Sequence, residues 1–409
     1  MQPRVAVLHH PHAFFPPDLS RQVGDHSELI WVIDETCVDD PTTRFLPRLG
    51  TVVDIAGLDD DRAAALLGDH EIDGVVSFVD DHIERAAAFA HRLGLRYHTP
   101  ETASRVVDKR LQREAFQRAG VPGPRLCPAP ASLSASDVTD LSRQITYPAV
   151  LKTEHGSGSV DMHFLSEPSE LHALLRGNER GIDYVVEEYI PDDLPWDHWY
   201  GNYCSVESVV SAGVLSHVAV TGRFPIADRF RETGSFVPAI LDREVQDEVF
   251  GIVDDAIIAL GVTDSIINAE IKLTADGPKV IEVNGRLGGR AGLLRTVSSL
   301  NLFQVACDVA VGAPVVFDGL ARCDGVGFWL MVQPPMSARR VKSVQGLDDL
   351  AGLSGVDIVS LNRGPGETVD WRDGTASHVV TVRGRTDDHD SLEKTFDSIR
   401  ALLKIDYDV

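Results

Sequence analysis

The sequence predicts an α/β chain, in the wider sense α+β, with a parallel-sheet domain first, a two-part body next and a small α+β portion last. Three observations carry this expectation. The first hundred residues alternate short β-branched apolar runs with helical stretches. A strand-like run ending in Lys152 leads straight into a Gly/Ser loop. Residues 268–292 place Glu270, Glu282 and Asn284 on two apolar runs around an Asp276-Gly277-Pro278 turn, with Arg286, Arg290 and several glycines directly after.

In chain order, the runs at 4–8, 29–33, 51–55 and 74–78 read as strands, with helices at 60–67 and 82–93. Strands apolar on both sides and separated by helices imply a buried parallel sheet. No GxGxxG follows the first run, so a dinucleotide fingerprint is missing. His9, His10 and His12 follow it instead, and they read as a polar loop at a strand end rather than a metal site. A helical pattern at 108–119 is stopped by Gly120, Pro122, Gly123 and Pro124. A strand at 147–152 and another at 162–165 flank the loop of Gly156, Ser157, Gly158 and Ser159. A helix at 171–176, a strand at 184–190 and an irregular aromatic stretch at 196–202 follow. Runs at 205–210 and 214–220 form a hairpin, and a helix covers 246–260 with one apolar face. After the 268–292 stretch come a helix at 294–309, a boundary near Pro314, apolar runs at 327–332, 356–361 and 378–382, and a helix at 391–403. The basic patch at 339–342 reads as a solvated strand end, and no chemistry is expected in this tail.

At 409 residues the chain is expected to divide into segments 1–107, 108–212, 213–315 and 316–409. A formal net charge of −24 argues against nonspecific nucleic-acid binding, which needs a basic footprint. The five scattered cysteines lack metal-ligand spacing and read as reduced thiols in the core. The apolar start is too short for a secretory leader, and no run reaches membrane-spanning length. The expected location is the cytoplasm.

The chemistry is expected where Glu282 and Asn284 stand. Two residues apart on a strand, they point to one face, and Glu270 can lie opposite across the turn. Two carboxylates and an amide oxygen are hard ligands suited to Mg²⁺, which leaves positions for phosphate oxygens. A Gly/Ser loop that begins at Glu154, two residues past Lys152, offers backbone N–H groups that can close over phosphates.

The order Lys109, Lys152, Gly/Ser loop, strand 184–190, Glu270, Glu282, Asn284, Arg286 resembles the ATP-grasp superfamily of carboxylate–amine ligases, and within it the L-amino-acid ligases that form dipeptides. NAEIKL…KVIEVNGRLGG carries most of the resemblance, with Asp108-Lys109 and Phe230-Arg231-Glu232-Thr233-Gly234 in support. The resemblance implies an ATP-grasp fold with a Rossmann-like N-terminal domain, and ATP with Mg²⁺ (two ions, or Mn²⁺ in their place). It implies Lys109, Lys152 and the loop of Gly156, Ser157, Gly158 and Ser159 on the phosphates. Glu187, Glu188, Tyr189 and Ile190 would form the adenine hinge, and Glu270, Glu282 and Asn284 would hold the metal. Arg286, Glu232 and Arg223 would carry catalysis, and Glu232, Ser235, Arg286, Gly289 and Arg290 would meet substrate. Family members usually have an acidic ribose contact where this chain has Asn202, and the stretch 191–202 is the expected source of a substitute. Arg223 replaces a common lysine, and a cation at Arg290 would favour an anionic substrate. The implied function is amide formation through an acyl phosphate on small acids and amines, with neither nucleic acid nor membrane as partner and a homodimer as the oligomeric option. The alternatives are a biotin-carboxylase-like or purine-pathway enzyme, or a nucleotide-binding regulatory protein without turnover.

Overall fold

Each residue of β1 (Arg4–Leu8) after the first is buried, and successive side chains serve opposite faces of one sheet. Val5 and Val7 belong to one apolar cluster, Ala6 and Leu8 to another. With β2 (Glu28–Ile33), β3 (Thr51–Asp54) and β4 (Gly74–Ser77) this strand forms a parallel sheet in the order β3-β2-β1-β4. The computed structural model describes residues 2–194 and 198–409, so 196 and 197 of the expected aromatic stretch lie outside the described residues.

A second sheet holds β5 (Leu126–Ala129), β6 (Ala149–Thr153), β7 (His163–Leu165) and β8 (Tyr184–Glu188), antiparallel in the order β5-β8-β6-β7. The third sheet is the largest. It contains β9 (Tyr203–Ser211), β10 (Val214–Arg223), β11 (Gly234–Val237), β12 (Ser265–Thr274), β13 (Gly277–Asn284), β14 (Val326–Val332), β16 (Val356–Leu361) and β17 (Val380–Thr386). Their order is β13-β12-β9-β10-β11-β14-β17-β16, antiparallel throughout. β15 (Arg340–Gln345) pairs separately with β18 (Lys404–Asp408).

Alternation divides the large sheet's two faces. Ala269, Ile271, Val280 and Val283 point down onto the helix Arg243–Leu260, whose Val249, Val253, Ala256 and Ile257 are buried against them. Phe116 of the helix Lys109–Ala119 joins the same cluster. The other face is left for polar side chains. A further cluster docks the first domain onto this body, where Val5, Val7 and Trp31 meet Leu287, Leu294 and Phe303.

Two boundaries differ from the sequence-based expectation. The break at 212 falls inside the turn between β9 and β10, so β9 lies in the large sheet rather than with the Gly/Ser-loop sheet. The break at 315 divides one sheet as well, because β14, β16 and β17 extend, through β11, the sheet that holds Glu270 and Glu282. Segment lengths carry no information on which hydrogen-bond edges pair, and that pairing decides both. The helix expected at 294–309 is two helices, Ala291–Val297 and Leu302–Ala310. Asn301 caps the second, accepting from the N–H groups of Phe303 and Gln304. All five cysteines are free thiols.

Candidate active site

The upper face of the large sheet gathers oxygen donors by register. Glu270 pairs with Glu282 and with Ser205, and Asn268 pairs with Asn284 and with Glu207. A bulge follows Glu270, where Ile271 pairs with Val280 and Ile281 is the extra residue. Glu270, Glu282 and Asn284 thereby share one side of a cavity of about 420 Å³. The carboxyl of Glu270 is pushed up to about 7 by burial, with Glu232 and Glu282 adding repulsion against the pull of Arg223. Two carboxylates and an amide oxygen on one face are hard donors that fit a divalent cation, which would relieve the repulsion on Glu270.

The opposite wall comes from the four-stranded sheet. Lys109 opens its helix just after the cap Asp108, which accepts from the N–H of Leu111. Its Nζ donates to the carbonyl of Gly156 at 2.5 Å and lies 3.7 Å from Glu282. Lys152 sits 2.7 Å from Glu187, and Arg113 donates to the same carboxylate at 3.1 Å. Glu187 is buried, and these two cations hold its pKa low. Its carboxylate therefore fixes Lys152, while Glu188 turns outward to Arg125. Tyr189 and Ile190 continue the lining of the cavity. Gly158 and Ser159 both take positive φ, at 68° and 58°. A serine there is uncommon, and its Oγ donates to the carbonyl of Phe230 at 2.8 Å.

Three arginines stand at the far end. Arg223 is buried, donates to Glu232 at 2.6 Å and to Ser205 at 3.2 Å, and lies 3.5 Å from Glu270. These carboxylates raise its pKa above the ordinary guanidinium value against the cost of burial. Arg286 donates to Asp80 at 2.5 Å and to Asn284 Oδ1 at 3.4 Å. Arg290 lies 3.4 Å from Glu232. Gly289 lines the cavity, but Ser235 does not. Ser235 is fully buried on β11 between Arg223 and Trp329 in the strand register, with no partner for its Oγ.

Several site residues escaped sequence reasoning. Asp80, in the turn after β4, belongs to the first domain, and its position at the carboxyl end of a buried parallel strand was the available signal. Glu207 lines the cavity, accepts from Asn268 at 2.7 Å and is pushed by burial to about 7. Its spacing from Ser205 showed that the two share a face. Thr375, in the tail expected to be silent, also lines the cavity. Its hydroxyl accepts from the N–H of Glu232 at 3.2 Å, and its own N–H donates to Gly158 at 2.9 Å. Asp192, in the 191–202 stretch, accepts from Asn202 at 3.0 Å and pairs with Lys272. The N-terminal histidines are occupied elsewhere, with His9 2.7 Å from Asp40 and His10 3.6 Å from Asp81. Among the described residues, no group of three or more His, Cys, Asp or Glu side chains has the arrangement of a metal site. The expected set, which has two carboxylates and an amide, is not such a group.

A two-sheet clamp of this kind, with lysines on one wall and acidic ligands on the other, is the architecture of ATP-grasp proteins. Residues 106–290, somewhat less than half of the chain, match the model of the ATP-grasp domain, the mark of the ATP-grasp superfamily. Proteins of this superfamily use ATP and Mg²⁺. The chain is 26% identical over 310 residues to carnosine synthase 1 of Homo sapiens, covering 71% of this chain and 37% of that protein. It is 25% identical over 265 residues to alanine–anticapsin ligase of Bacillus subtilis, covering 58% and 54%. The chain thus spans about a third to a half of these two relatives. The solved L-amino acid ligase of Bacillus licheniformis superposes over 100% of this chain and 99% of its own with a TM-score of 0.77 at 18% identity, a likeness of fold. No helix of the described residues is long and apolar enough to cross a membrane.

Proposed function

We propose that this chain is an ATP-dependent carboxylate–amine ligase that joins two small amino acids, or related acids and amines, by an amide bond. The observation that carries the reading is Arg286 beside Asn284, at the boundary between the metal-type donors and the remaining pocket. A nucleotide binder needs no guanidinium there, whereas acyl transfer does. The names of the two relatives, a synthase and a ligase of amino-acid compounds, point the same way.

A carboxylate is a poor acyl donor because oxide cannot leave. Its oxygen would attack the γ-phosphorus of ATP, releasing ADP and giving an acyl phosphate. The amine nitrogen would then attack the acyl carbon, phosphate would leave, and the nitrogen would lose a proton. Mg²⁺ held by Glu270, Glu282 and Asn284, as two ions in our reading, supplies charge neutralisation on the phosphates. Lys109, Lys152 and the loop from Gly156 to Ser159 would position those phosphates, and closure of the loop would keep water from the acyl phosphate. Arg223 would meet the transferred phosphoryl group and Arg286 the oxyanion. Asp192 with Asn202 would take the ribose contact, and the backbone from Glu187 to Ile190 the adenine edge. Glu232 would receive an ammonium group.

An ADP-release screen over amino-acid pairs, with single amino acids and bicarbonate as controls and product masses recorded, tests this. ADP formed only with pairs, together with a condensation mass, is expected. Turnover driven by bicarbonate alone would reject the ligase reading. Glu282→Gln and Arg286→Ala are each expected to lower turnover by on the order of 100-fold or more.

A further inference from the structure

Beyond Arg286 the pocket holds another guanidinium for which the phosphate chemistry has no use. Arg290 lies over Trp329 of β14, its Cζ 4.6 Å from the ring centre. Arg383 of β17 lies over the same ring at 3.4 Å, as the pairing of Trp329 with Arg383 dictates. Contact with the indole helps to fix the direction of both guanidinium groups. The ion-pair partner of Arg290 is Glu232, a carboxylate that Arg223 already engages at the shorter distance. Arg290 also donates to Met331 Sδ at 3.4 Å, a weak acceptor, and its Nε is buried without a partner. Arg223 has Glu270 at 3.5 Å as well, whereas Arg290 has only its share of Glu232 among the described carboxylates within ion-pair distance and keeps a donor unanswered. Burial holds the pKa of Arg290 below the usual guanidinium value, with Arg223 adding to the effect.

We propose that this end of the pocket binds a second anionic group of the acyl donor, so that the donor is a dicarboxylic amino acid. Arg286 takes the carboxylate to be activated, Arg290 takes the other, and Glu232 takes the ammonium between them. The inference rests on the ligase reading and narrows it. The division of labour follows from position. Arg286 contacts Asn284 of the metal set, whereas Arg290 contacts Glu232, Met331 and Trp329. A planar fork also matches a carboxylate better than it matches a neutral amide, which cannot answer the charge.

The test uses the full chain with ATP and Mg²⁺. Glutamate and aspartate are compared with glutamine and asparagine as acyl donors, with alanine as the amine and ADP release as the readout. The acidic donors are expected to lead in kcat/KM by about 100-fold. That ratio is expected to collapse toward unity in Arg290→Gln and to survive in part in Arg290→Lys. Binding is also read without turnover, by calorimetric titration of glutamate and glutamine into protein loaded with Mg²⁺ and a nonhydrolysable ATP analogue. Efficient ADP release with the neutral donors, equal to that with the acidic ones, would leave the ligase reading intact and overturn this one. No ADP release with any pair would reject the ligase reading instead. In that event the titration decides: glutamate preference that depends on Arg290 upholds the anion site, and equal binding of glutamate and glutamine overturns it.

Discussion

Arg286 and Asp80 lie 2.5 Å apart, although the first follows the metal-type hairpin and the second ends a strand of the N-terminal domain. The guanidinium that faces the pocket is thus aimed from outside the grasp. The raised pKa of Arg286 reflects this pair, which offsets the cost of its burial. Asp80→Asn is expected to keep the fold and leave the KM for ATP nearly unchanged, while kcat falls by up to about 100-fold through loss of aim. Steady-state ADP release across ATP concentrations measures both.

Gly374 has φ 63°, and a Cβ there would stand 2.3 Å from the carbonyl of Gly158. Gly374→Ala is therefore strained twice, by backbone and by contact, at a cost of about 1–3 kcal/mol for the backbone alone. The strain is expected to release the 156–159 loop from the C-terminal portion. Faster proteolytic cutting in that loop and a higher KM for ATP are the readouts, with Gly366→Ala as control for the backbone strain alone, since its φ is also positive at 92° but its Cβ meets nothing.

Glu187 sits buried between Lys152 and Arg113. Removing the charge in Glu187→Gln leaves two cations with no counter-ion, and about 3–5 kcal/mol of stability is expected to be lost. Urea unfolding with and without Mg²⁺-ATP separates this cost from nucleotide binding, because phosphates would partly replace the missing charge for Lys152.

His98 is buried and its Nε2 donates to the carbonyl of Gly285 at 2.7 Å. Burial depresses its pKa to about 4. The unfolded chain takes up this proton first as pH falls, so the contribution is complete above about 6.5 and lost progressively toward 4. The loss is on the order of 3 kcal/mol at the acid end. His98→Gln, which can donate to the same carbonyl, is expected to flatten that part of the stability profile measured by chemical denaturation.

Much of the site was legible because its logic is local. The Asp276-Gly277-Pro278 turn and period-two alternation were enough to bring Glu270 opposite Glu282, as the strand register has them. What stayed hidden is long-range. Asp80 reaches Arg286 and Thr375 reaches the pocket, each across a long stretch of sequence, and no local pattern names either partner. Glu207 was half legible, since alternation gave its face but only the pairing of β9 with β12 put that face beside Glu270. Asn301 was a missed cap rather than a hidden one, because an asparagine before an apolar run is a helix-start signal.

Thr375 joins two things that otherwise lie apart, with its hydroxyl on the backbone of Glu232 and its N–H on Gly158. Anything that orders one end of this link lowers the entropy still to be lost at the other. If the proposed amino-acid end and the proposed phosphate loop are both occupied as inferred above, the two occupancies would be thermodynamically coupled, equally in both directions. The factor by which nucleotide tightens the amino acid must equal the factor by which the amino acid tightens nucleotide. In Thr375→Val both factors are expected to shrink together.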